Sequence, residues 1–133
     1  MSVQTMSLGG IEAETGRTPL TKSDLALVDR LTGWNIGIAI GALTIGLALG
    51  VLQGLEHAGL NLYPANDPIL KSYYQGLTIH GVLNALVWTT FFICGFFTFA
   101  TVRSLDRPLR YPRLSVAALI VMAVGLLLTT YPL

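Results

Sequence analysis

One imidazole stands inside a membrane-length apolar run. Residues 73–92 read Tyr-Tyr-Gln-Gly-Leu-Thr-Ile-His-Gly-Val-Leu-Asn-Ala-Leu-Val-Trp-Thr-Thr-Phe-Phe, with His80 well inside them. A titratable ring is costly in hydrocarbon, so it needs a compensating partner, and intramembrane ionisable residues tend to mark functional sites. Neutral imidazole is also the commonest metal ligand. Two chemistries are therefore open for His80. It either coordinates a metal or forms a hydrogen bond to a neighbouring helix.

Helical spacing places Gly76, His80, Asn84, Val87, Trp88 and Phe91 along one face. Gly76, one turn before the histidine, has no side chain and leaves space in which a flat macrocycle would fit. Trp88, two turns beyond, is too deep for an interfacial belt and suits a packed or cofactor-lined interior. Thr78, Thr89 and Thr90 are able to bond across helices, although threonine is ordinary in such spans. His80 lies seven residues inside the span, a depth of roughly 10 Å at 1.5 Å per residue. The other histidine, His57, follows Glu56 at the edge of an apolar run and reads as a surface residue, since nothing near it has ligand spacing. The single cysteine, Cys94, reads as a small buried hydrophobe rather than a reactive thiol.

Three elements position these residues. Apolar runs cover 34–55, 74–102 and 114–131, each near the roughly 20 residues that a bilayer-crossing helix needs. Backbone groups have no water partners in lipid, so the runs must be helical. The expectation is an all-α transmembrane bundle with helices over about 24–56, 73–104 and 112–131. Residues 1–20 have no periodicity and are expected to be a disordered tail without a signal-peptide pattern. Thr21-Lys22-Ser23-Asp24 is a capping-box signal. It predicts a helix that lies at the membrane surface or runs directly into the first span. Within that span glycines recur at positions 33, 37, 41, 46, 50 and 54. Small residues at this spacing let another backbone approach closely, so the stripe is expected to be a helix–helix contact.

Charged residues make up 11% of the 133-residue chain, against about 25% in soluble proteins, and the mean hydropathy is +0.64. The net charge of +1 leaves no basic stripe for nucleic acid. Seven of the eight basic residues flank the first span on its N-terminal side or lie in the 103–113 link, whereas the 56–72 link has only Lys71. The positive-inside rule predicts a cytoplasmic N-terminus and an external first link. Trp34 and Tyr111 fit an inner aromatic belt, and Tyr63, Tyr73, Tyr74 and Tyr131 an outer one. Tyr63-Pro64 and Asp67-Pro68 mark turns in the external link. No acidic residue lies inside any span, which leaves His80 without a relay partner and argues against an ion transporter.

The stretch Ser72-Tyr73-Tyr74-Gln75-Gly76-Leu77-Thr78-Ile79-His80-Gly81-Val82-Leu83-Asn84-Ala85 resembles the second helix of subunit I in haem–copper terminal oxidases, in the B-family (ba-type) wording. The A-family has a Met-Pro pair after the His-Gly, and this chain does not. The resemblance implies that His80 is an axial ligand of a low-spin haem iron, b-type by expectation, with Gly76, Asn84 and Trp88 around it. It implies a role in electron transfer to oxygen in a respiratory chain, in the plasma membrane. The implied partners are the remainder of subunit I, a copper-bearing subunit II and a cytochrome c or small copper protein as donor. The family's high-spin haem and copper need histidines beyond His57 and His80, the two present here. The chain is therefore expected to be an N-terminal part of a larger subunit, inactive alone. A nitric oxide reductase-type relative and a cofactor-free packing subunit are the alternatives.

Overall fold

The computed structural model describes residues 19–60, 62 and 72–130. The 1–18 tail, the Tyr63-Pro64 and Asp67-Pro68 turns, Lys71 and Tyr131 lie outside the described residues. The chain forms α1 (Lys22–His57), α2 (Tyr73–Gly81), a π-helical segment (Val82–Trp88), α3 (Thr89–Leu105) and α4 (Pro112–Thr130). The second span is the continuous run Tyr73–Leu105. There is no sheet among the described residues, and all three runs are long and apolar enough to cross a membrane.

Helix α1 begins where the sequence signals it. The Thr21 hydroxyl accepts from the Asp24 amide at 3.2 Å, and the Asp24 carboxylate accepts from the Thr21 amide at 3.0 Å, so two of the orphan amides of the first turn are satisfied. From there α1 runs unbroken through the lead-in and the span. Its buried residues are Val28, Leu31, Asn35, Ala39, Ala42, Gly46, Leu49 and Gln53. Steps of three and four make one seam, the pattern of close helix pairing.

That seam faces the second span. Ala39 and Ala42 form the core with Val87 and Phe91, and Val82, Leu83, Trp88 and Phe92 pack against it. Near the N-terminal end of α1, Gly95 of α3 brings the backbones together, for a Cβ there would lie 2.9 Å from the Asn35 Cβ. Arg103 reaches Asp29 at 3.2 Å and ties the ends of α1 and α3. Asp106 ends α3 in the left-handed conformation, φ 50°, a geometry that Asp tolerates better than most side chains. Pro112 then opens α4, where its missing amide costs nothing.

Two expectations need correction. The glycine stripe is not one face. At 3.6 residues per turn the five-residue step from Gly41 to Gly46 turns the helix by about 140°. Gly46 and Gly50 accordingly meet the second span, while Cβ atoms at Gly33, Gly37, Gly41 and Gly54 would meet open space. Cys94 is exposed, in the hollow that α3 forms with α1 and α4, not buried. The second span is the continuous helix expected, with a π-helical stretch, Val82–Trp88, within it. An i→i+5 turn takes in one more residue than an α turn. The face chosen by spacing nonetheless stays inward, with Gly76, Val87 and Phe91 buried and His80, Asn84 and Trp88 half-buried.

Candidate functional site

Gly46 and Gly50, one turn apart on α1, form a trough for the side chains of His80 and Asn84. A Cβ on Gly50 would lie 2.8 Å from Cε1 and 3.1 Å from Nδ1 of His80, and one on Gly46 would collide with the end of the Asn84 side chain. Any residue larger than glycine must therefore displace the ring or the amide. His80 is in the last turn of α2, and Asn84 lies one turn on, inside the π-helical segment.

The hydrogen bonds fix the chemistry of the ring. His80 Nδ1 lies 2.6 Å from the Gly46 carbonyl oxygen. A carbonyl only accepts, so Nδ1 carries the proton and donates. The neutral ring then bears its lone pair on Nε2. The Asn84 amide nitrogen lies 3.1 Å from the same Nδ1, which would set two donors against each other. Turning the amide by a half-turn exchanges its oxygen and nitrogen. The Asn84 oxygen, buried and without a partner where it stands, then accepts a share of the Nδ1 proton. One ring nitrogen is thus engaged with α1 and its own helix, and Nε2 makes neither contact.

His80 and Asn84 are brought together as their spacing predicts. Gly76 is buried on α2, one turn before His80. Trp88 ends the π-helical segment and packs on Phe92 with ring centroids 4.7 Å apart. His57 is exposed at the end of α1, as its surroundings suggest. The adjoining Glu56 carboxylate accepts from the Leu62 amide at 2.6 Å and holds the start of the link. The threonines turn back on their own helices. Thr78 donates to the Tyr74 carbonyl at 2.9 Å, and Thr89 donates to that of Ala85. Among the described residues no three His, Cys, Asp or Glu side chains cluster to cage a metal. A single imidazole nitrogen suits an axial position on a cofactor that brings its own ligand plane.

The residues that sequence reasoning misses are on α1. Gly46 and Gly50 are legible as packing glycines but not as the support of the histidine. Their four-residue interval matches that between His80 and Asn84, and this is the one signal that points to them. Gln53 and Asn35, both buried on the seam, belong to no motif.

Comparison with known proteins identifies the family. The family model for cytochrome c and quinol oxidase polypeptide I matches residues 30–133. The chain is similar to cytochrome c oxidase subunit 1 of Thermus thermophilus, 40% identical over 68 residues. That match covers 49% of this chain and 12% of the relative. No solved structure matches the chain. With most of its length, including all three spans and the His80 site, inside the family match, the chain belongs to the cytochrome c and quinol oxidase polypeptide I family.

Proposed function

We propose that this chain supplies the N-terminal helices of a terminal oxidase subunit I, and that His80 is an axial ligand of a low-spin haem iron through Nε2. One observation supports the ligand assignment above the others. The Gly46 carbonyl at 2.6 Å sets the proton on Nδ1, which leaves Nε2 as the free donor atom. Metal-bound histidines characteristically donate their other N–H to a carbonyl or carboxylate, which fixes tautomer and ring orientation. The trough of Gly46 and Gly50 adds to this by fixing where the ring lies. Asn84 keeps the Nδ1 proton in place. Gly76 lets α2 seat closely, and Trp88 lines the same inward face further along. When bound, the haem would pass single electrons inward toward oxygen. This chain's residues would hold and orient one ligand.

The B-family assignment rests on the Thr78-x-His80-Gly81-Val82-Leu83-Asn84 wording. The reading extends to the remainder of subunit I, which would supply the second axial ligand, the high-spin haem and copper. It extends also to a copper-bearing subunit II and to cytochrome c or a small copper protein as donor. A packing subunit without cofactor is a second reading, because the same Nδ1 bond satisfies a histidine that only joins two helices. The deciding experiment replaces His80 with Ala in the complete complex and records the reduced-minus-oxidised spectrum. Loss of the low-spin haem band is expected, and an unaltered band would leave only the packing role.

The basic residues further support a cytoplasmic N-terminus. Single cysteines at Ser104 and Asn66, in a Cys94→Ser background, should label with an impermeant reagent from opposite faces of the membrane. Labelling of both from one face would refute this topology.

A further inference from the structure

An apolar groove of about 430 Å³ runs between α1 and α4 on the face away from His80, lined by Leu27, Leu31, Trp34, Ile38, Leu119 and Ile120 among others. Arg30 stands in its wall as the one charged residue. A second hollow, which shares Leu27 and Val116 with the first, is completed by Pro112 and Arg113. The two arginines thus stand at the same end of one continuous apolar surface, where α1 and α4 both begin.

Their charge is uncompensated among the described residues. Of the carboxylates on this side, Asp29 is taken by Arg103, Asp24 by the cap at Thr21, and Asp106 at the end of α3 makes no ion pair among the described residues. No acidic residue lies in the first turn of α4. Arg30 and Arg113 have no carboxylate in ion-pair range among the described residues. Trp34, 68% exposed, stands in the groove wall one turn beyond Arg30, a position where an amphipathic ring lies between headgroup and chain.

We propose that this groove binds an anionic phospholipid, with an acyl chain along Leu31, Trp34, Ile38, Leu119 and Ile120 and the phosphate against Arg30 and Arg113. Charge complementarity selects this occupant. An apolar helix in the groove would leave both arginines unpaired, and a zwitterionic lipid would bring its own cation to them. Basic pockets between transmembrane helices recognise anionic headgroups in this way.

Trp34 reports occupancy. The complete subunit is placed in nanodiscs of phosphatidylcholine containing 10–20% acyl-brominated phosphatidylglycerol, or the same fraction of brominated phosphatidylcholine. Quenching of Trp34 is taken as the difference between the native protein and Trp34→Phe. The brominated anionic lipid should quench Trp34 well beyond its share of the bilayer, and the zwitterionic one only in proportion to its share. Each arginine contributes about a fivefold preference at a membrane surface, so R30Q/R113Q should lower the preference by about 30-fold. R30K/R113K, which keeps both charges, should retain most of it. Both arginines are exposed, so the variants are expected to fold, and circular dichroism checks this. Equal quenching by the two lipids would overturn the proposal, as would a preference that survives R30Q/R113Q. Absence of quenching by either lipid would also overturn it, by showing that a protein segment covers the groove.

Discussion

Helix α1 meets two neighbours and treats them differently. Against the second span it buries a complete seam, with two glycines under His80 and Asn84 and a core of Ala39, Ala42, Val87 and Phe91. Against α4 it leaves grooves on both sides, of about 430 and 340 Å³. No residue in the apolar stretch of α4 is buried. Yet the three spans have nearly equal mean hydropathy, 2.1, 1.8 and 2.0. Apolarity makes a helix compatible with lipid but does not choose its neighbours, because lipid tails are as apolar as leucine. Fit chooses them. The α1 and second-span surfaces carry glycine and alanine opposite bulky or polar groups, whereas α4 presents Leu114, Val121, Leu127 and Leu128 outward.

The contrast breaks most readily at the core. Phe91→Ala removes a ring that is 3% exposed, and such truncations cost about 3–5 kcal/mol. Val121→Ala, on the outward side of α4, should change stability by less than about 0.5 kcal/mol, as surface substitutions do. Thermal unfolding in a mild detergent compares the two. Equal losses would show that α4 packs as tightly as the second span. A smaller effect separates the two halves of the glycine stripe. Gly46→Leu and Gly50→Leu overpack the trough and should cost at least about 1–3 kcal/mol. Gly37→Leu and Gly41→Leu, which point into open space, should leave the packing of α1 on the second span intact. If all four behaved alike, the stripe would be one contact after all.

Much of this architecture is legible in the amino-acid sequence. The three spans, the Thr21–Asp24 cap and the inward face of the second span follow from apolar run length, capping chemistry and period. The pairing of His80 with Asn84 follows from one helical turn. What the sequence does not disclose is set by packing between segments distant in the chain. The Gly46 carbonyl has no side chain to announce it, and its bond to His80 spans 34 residues. The π-helical segment contains no proline or glycine, so no local signal marks it. Cys94 is misplaced by its composition because an apolar run does not say which side of its helix is covered.

The smallest expected effect lies where α1 and α3 are joined by charge rather than shape. Arg103 and Asp29 are 3.2 Å apart but remain 46% and 54% exposed. Solvent screens such a pair, and holding two mobile side chains costs entropy, so exposed pairs contribute about 0.2–1 kcal/mol. Arg103 also lies over the Phe99 ring, 5.4 Å from its centroid, so the guanidinium keeps a favourable contact when the carboxylate is removed. Asp29→Asn should therefore lower stability by less than about 1 kcal/mol. The loss should shrink further in 1 M salt, where the screening length falls to about 3 Å. The buried residues flanking the pair, Val28 and Val102, should hold the helices together without it. If Asp29→Asn instead cost as much as Phe91→Ala, the ion pair rather than the apolar seam would be fixing the register of α1 on α3.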